Sequence, residues 1–134
     1  MAHWILKTEP NCYSFENLEK DKVTCWDGVR NFQARNNLQT MKIGDTCLIY
    51  HSVGPKEIVG VAKVVKEAYV DPTSKDSRFV AVDLTPVSRL KTPVSLALMK
   101  EQAALAKLSL IKQSRLSVCP ITESEWKCII QLGA

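Results

Sequence analysis

The chain has 134 residues, 46% of them hydrophobic and 24% charged, with a formal net charge of +4 and a pI of about 8.8. That length buries a core without disulfides or metal and reads as one domain over residues 1–134. No apolar run reaches bilayer length and no basic-then-apolar leader opens the chain, so neither a membrane span nor a signal peptide is expected. The charge permits a polyanionic partner without demanding one.

His3 to Glu9, "HWILKTE", is short, apolar and closed by Pro10, as a strand would be. Ser14 is placed to cap a helix over "SFENLEKD". Asn31 to Met41 is helical, with Ala34, Leu38 and Met41 at the spacing of one face. "IGD", Ile43 to Asp45, is a turn, and Thr46 to Ser52 reads as a buried strand. Ile58 to Val70 is a long strand whose Gly60 signals a bulge or a close backbone approach. A polar loop follows, then a strand with Val80, Val82 and Leu84 on one face. Ser95 caps a helix over "LALMKEQAAL", "RLSVCPI" is a last strand, and Thr122 with Glu125 forms a capping box for the final helix. Helices are thus expected near 14–20, 31–41, 95–106 and 122–131. No β-α-β rhythm repeats, so a doubly wound parallel sheet is not expected. The pattern points to an α+β fold: a small, bent antiparallel β-barrel of about five or six strands with flanking helices.

Catalytic and metal motifs are not evident. His3 and His51 lie in different elements, and no G-x-S-x-G, Walker or G-x-G-x-x-G loop occurs. Cys47 and His51 are four apart on a strand, about 13 Å, beyond hydrogen-bond reach. The cysteines Cys12, Cys25, Cys47, Cys119 and Cys128 are odd in number and form no C-x-x-C. That argues against a disulfide framework or a thiolate metal site. It fits a reducing, cytoplasmic compartment, or a nuclear one in a eukaryote. No cofactor is called for, and the protein is read as a binder rather than an enzyme.

The dense polar stretch "TCWDGVRNFQARNN" stands apart. Asp27-Gly28 is a turn signal, and Arg30 and Asn31 fall at the start of the following helix. A cation there opposes the helix dipole, which is explained either by an anion or base edge facing Arg30 or by a salt bridge to Asp27 or Glu9. Trp26 borders this turn, either as core or with one indole face open. An open indole beside amide and guanidinium donors suits a flat heteroaromatic ligand.

The blocks "HWILKTEP", "CWDGVRNFQAR", "IGDTCLIYHS", "EIVGVAKVVKEAYVDPT" and "RLSVCPIT" together resemble the EVE domain of thymocyte nuclear protein-like proteins, within the PUA-like superfamily. The resemblance covers essentially the whole chain. It implies a PUA-like barrel, a kinship with YTH domains, and a nucleic-acid partner, DNA or RNA, carrying a modified base, chiefly a modified cytosine in DNA. The alternative is a PUA-type RNA-binding module with no taste for modification. By the same resemblance Trp26 occupies the place of the first cage tryptophan, and Lys7 and Thr8 belong to a "K-[ST]-E-P" signature. Arg30 and Asn31 belong to "W-x-G-V-R-N", and Tyr50, His51 and Ser52 stand where related domains line a pocket. Many members carry tryptophan where this chain has Phe79, whose face is smaller and lacks an N–H. The expected site is a pocket walled by Trp26 and rimmed by Lys7 or Thr8, Asn31, and Tyr50 or Ser52, the latter two favoured over His51. Asn31 and backbone groups would read the base edge. A modest basic rim is expected from some of Lys7, Arg30, Arg35, Lys63, Lys66, Arg89 and Lys112.

Overall fold

A computed structural model describes residues 2–134. Its strands are β1 (His3–Thr8), β2 (Thr24–Trp26), β3 (Thr46–His51), β4 (Glu57–Val70), β5 (Val80–Ser95) and β6 (Val118–Ile121). Its helices are α1 (Phe15–Asp21), α2 (Phe32–Thr40), α3 (Leu96–Lys100), α4 (Ser109–Lys112) and α5 (Glu123–Leu132). They form one mixed sheet in the order β2-β5-β4-β3-β1-β6, with helices packed around it. The expected α+β class is what forms.

Two details differ from an antiparallel barrel. First, β1 and β3 run parallel, with Ile5 opposite Leu48. The segment α1-β2-α2 between them is long enough for the crossover that a parallel pair requires. Second, β2 and β6 are the sheet's two ends and do not pair, so the sheet is bent but open. The central strands are buried on both faces, which is why Trp4, Ile5 and Leu6 in β1 and Cys47 to Tyr50 in β3 are consecutive core residues.

The bend originates in the β4–β5 pairing, whose register shifts four times. One shift falls between Ile58 and Gly60, and β3 has a matching irregularity between Ile49 and Tyr50. Gly60 serves there as a close approach: a Cβ on it would lie within 2.7 Å of three ring carbons of Phe15. Phe15 opens α1, whose Ser14–Asn17 capping box satisfies the first turn. Helix α2 is capped by Asn31, and Ala34, Leu38 and Met41 are buried as their spacing predicts.

The single helix expected over 95–106 is broken. Ser95 does cap α3, but Gln102 turns extended (φ −90, ψ 121), a 3-10 turn covers Ala103–Leu105, and α4 follows. Met99, Leu105, Leu108 and Leu110 are the buried residues here. Their spacing fits no continuous helical stripe, and the chain breaks to seat all four. Strand β2 was absent from the expected element order; three residues between two helices carry no periodicity of their own.

Candidate functional site

A cavity of about 470 Å³ opens between β2, at one end of the sheet, and the C-terminal end of β1. One side is β2 and the turn after it. The other is the end of β1, with Lys7 and Thr8, and Ser117 just before β6. Cys12 and Tyr13, between β1 and α1, fill the back.

Two aromatic side chains shape it. Trp26 is hydrogen-bonded in register with Val82 of β5 and is only 8% exposed, so most of the indole is core and a limited part faces the cavity. Tyr13 meets it edge-on, at 6.2 Å between centroids and 86° between planes. The Tyr13 hydroxyl donates to Asp21 Oδ2 at 2.7 Å. Burial first, and then this bond, push the phenol up to about 12, so it stays a neutral donor. Thr8 Oγ1 donates to the Tyr13 carbonyl at 2.6 Å, fastening the segment to β1. Lys7 Nζ donates to the Ser114 carbonyl at 2.6 Å, drawing the loop before β6 against the same wall.

The turn Asp27–Arg30 is held by a carboxylate 41 positions beyond Arg30 in the sequence. Asp71, in the loop joining β4 to β5, is fully buried. It accepts from the Gly28 N–H at 2.8 Å, from Arg30 Nη1 at 2.9 Å, and from the Thr73 N–H and hydroxyl at 2.7 and 2.6 Å. Burial raises its pKa, but the bonds from Thr73, Arg30 and Gly28 outweigh it and leave the carboxyl at about 2. Gly28 has φ +80, a left-handed value that favours glycine and lets its N–H point at Asp71.

The structure brings four of the nine candidate residues to the cavity: Trp26, Lys7, Thr8 and Arg30. Asn31 stands beside it. Its Oδ1 accepts from the Ala34 N–H at 2.9 Å as the α2 cap, and the residue lines a neighbouring cleft of about 300 Å³ with Lys112 and Arg115. Tyr50, His51 and Ser52 are not among the residues that line the cavity. Tyr50 is 3% exposed and belongs to the core. His51 Nε2 accepts from the Phe15 N–H at 3.2 Å, serving the start of α1. That bond needs an unprotonated nitrogen, and burial lowers the imidazole pKa to suit. The Ser52 N–H bonds to the Thr8 carbonyl at 3.0 Å, bracing β1 from behind.

Phe79 also lies outside the cavity. It stacks on Phe32 at 5.3 Å and 21°, and the Arg30 guanidinium sits 5.2 Å from its ring centroid. Arg35 and Arg78 lie 5.2 and 5.3 Å from the centroid of Phe32. Phe79 thus supports Arg30 rather than facing Trp26. Of the expected rim, Lys7, Arg30 and Lys112 are at or beside the cavity. Arg89 is instead paired with Glu19 at 2.6 Å.

Tyr13, Thr24, Asp27 and Ser117 line the cavity without having been singled out from the sequence. Asp27 and Ser117 sit inside the blocks "CWDGVRN" and "RLSVCPI", which was the available signal. Among the described residues, no three of His, Cys, Asp or Glu come together as a metal site would need, and no helix is long and apolar enough to cross a membrane.

The EVE domain pattern matches residues 2–132. Human thymocyte nuclear protein 1 is 34% identical, with 98% of this chain and 73% of the relative covered. A crystal structure of that human protein in complex with 5-methylcytosine-containing DNA superposes with a TM-score of 0.92, covering 99% of this chain and 98% of the other, at 34% identity. The crystal structure of Atu2648 from Agrobacterium tumefaciens gives 0.97 at 37% identity, covering 100% and 94%. An ASCH structure from Zymomonas mobilis, 12% identical with a TM-score of 0.64 over 99% of this chain and 96% of the other, shares the PUA-like fold alone. The chain belongs to the EVE domain family.

Proposed function

We propose that this EVE domain protein is a nucleic-acid reader that takes a modified base, a modified cytosine in DNA, into the Trp26 cavity. The observation that carries this is the cavity: about 470 Å³, walled by Trp26 and Tyr13 and flanked by Lys7 and Arg30. Its volume lies in the range of small-ligand sites, about 300–1,000 Å³. The human relative's complex with 5-methylcytosine-containing DNA supports a DNA partner.

Binding of this kind requires the base to leave the stack, at a cost of a few kcal/mol. Stacking on an aromatic wall returns about 1–3 kcal/mol. A methyl group filling apolar space beside Trp26 adds about 1–3 kcal/mol of preference. Lys7 and Arg30 attract the backbone, and the Asp71 pair fixes the direction of Arg30. Each role is one of binding, with no bond made or broken.

The test is a fluorescence-anisotropy screen of matched DNA and RNA oligonucleotides, single- and double-stranded, with and without 5-methylcytosine. Tighter binding of the modified DNA is the expected result. Equal affinity for modified and unmodified strands, with RNA preferred, would establish the PUA-type RNA module in its place.

A further inference from the structure

The turn after Trp26 brings an acidic residue to the cavity. Asp27 is exposed and lines the cavity. Among the described residues, neither hydrogen bonds nor ion pairs engage its carboxylate. The cations that line the same wall do not pair with it: Arg30 bonds Asp71 and Thr73, and Lys7 donates one proton to Ser114. A lone negative charge repels a polyanion and weakens its approach. Its place at a nucleic-acid pocket is accounted for if it meets a donor once the base is seated.

We infer that Asp27 is a specificity-determining residue: its carboxylate accepts a hydrogen bond from the exocyclic amine of the bound base. The site then takes bases whose pairing edge sets an amine beside a ring-nitrogen acceptor, cytosines or adenine, and rejects thymine and uracil. This rests on the reading of the cavity as a base pocket.

The chemistry discriminates sharply. An ionised carboxylate only accepts, while an ammonium only donates. Lys7 has three protons, one of them on Ser114, so it keeps donors for the cavity it also lines. Cytosine offers an amine donor at position 4 beside an acceptor at N3, and adenine repeats that pattern at position 6 and N1. One acceptor and one donor on the protein complement either. Thymine offers a carbonyl at position 4 and a donor at N3. Its carbonyl would face the carboxylate with no proton between them, leaving two desolvated acceptors unpaired.

5-Methylcytosine and thymine share a ring, a methyl group and a shape, and differ at this edge alone. Placed in otherwise identical single strands, they isolate the contact from the cost of breaking a base pair. Dissociation constants would be measured for the protein and for its Asp27→Asn and Asp27→Ala variants. The unaltered protein is expected to prefer 5-methylcytosine by about tenfold or more. Asn presents both an acceptor and a donor, so Asp27→Asn should bring the two strands to within about threefold. Asp27→Ala should weaken 5-methylcytosine and tighten thymine, whose carbonyl no longer faces a carboxylate. A preference that survives both substitutions undiminished overturns the role of Asp27 while leaving the pocket standing. If the unaltered protein binds no 5-methylcytosine strand, the pocket reading falls and Asp27 with it.

Discussion

Arg30 Nη1 lies 2.9 Å from Asp71 Oδ2, and this pair joins the wall of the cavity to the loop between β4 and β5. The arginine is partly open, with 41% of its side chain exposed, while the carboxylate is fully buried. The Asp71 end is therefore the sensitive one. Asp71→Asn keeps the shape but replaces an acceptor of charged donors with an amide. We expect a loss of about 2–3 kcal/mol in urea denaturation, and weaker ligand binding because the Gly28–Arg30 turn is no longer fixed. A stability within 0.5 kcal/mol of the parent, on the usual scale for surface changes, would show the clamp to be idle.

Acid should reveal the same group. The folded carboxyl of Asp71 sits at about 2, below its ordinary value of 3.8. A depressed folded pKa contributes stability that is fully present above the unfolded value and is lost as pH falls through the folded one. The difference between the parent and Asp71→Asn should therefore be constant above pH of about 5 and shrink by about 2 kcal/mol towards pH 2. The comparison also removes Asp76, which its bonds to Arg78 hold at about 2 in both proteins. Urea melts at a series of pH values would measure it, and a flat difference would contradict it.

Gly60→Ala tests the packing that bends the sheet. Its new methyl would overlap the ring of Phe15, itself 1% exposed and unable to retreat to solvent. Overpacking of this kind costs about 1–3 kcal/mol. Combining it with Phe15→Leu should cost less than the two changes added, because the smaller side chain vacates the clash. Simple additivity would locate the strain elsewhere.

Trp26 needs two variants, because most of it is core. Trp26→Ala should abolish binding but also cost about 3–5 kcal/mol of stability. Trp26→Phe keeps an aromatic body and should stay folded by circular dichroism, with binding reduced about tenfold through the smaller stacking face. Unaltered affinity in a folded Phe variant, together with binding by any folded fraction of the Ala variant, would mark the indole as purely structural.

Salt dependence should be shallow. Lys112 and Arg115 line the cleft beside the cavity and have no carboxylate partner among the described residues. Replacing both by Ala should reduce the slope of log K against log salt by about 1.5–2. An unchanged slope would remove the cleft from the path of the phosphate backbone.

The sequence was most legible where a local rule acts alone. The Ser14, Ser95 and Thr122 caps, the α2 stripe and the Gly60 contact all depend on residues near in sequence or on one absent side chain. The partner of Arg30 was not legible, since Asp71 is 41 positions away and only the β4–β5 hairpin brings it back. Asp27 and Glu9 were the nearer acidic choices. Tyr50 to Ser52 read as a polar break at a strand end, but α1 folds over that end and bonds His51 through its first N–H, while Ser52 bonds Thr8 of β1. Tyr13 was missed because a tyrosine between a strand and a helix has no periodic neighbours to mark its direction.

The parallel pairing of β1 with β3 sets an order of events on the folding chain. β1 has no hydrogen-bonded neighbour until the ribosome has made Thr46–His51, and β2 has none until β5 exists. The second neighbour of β1 is β6, close to the C-terminus. Few of these pairings are local, which predicts refolding on the slower, millisecond-to-second side of small proteins. It also means that Lys7, Trp26 and Ser117 meet only after the last strand docks. A nascent chain therefore presents no such cavity, and the proposed recognition would begin only in a single late step.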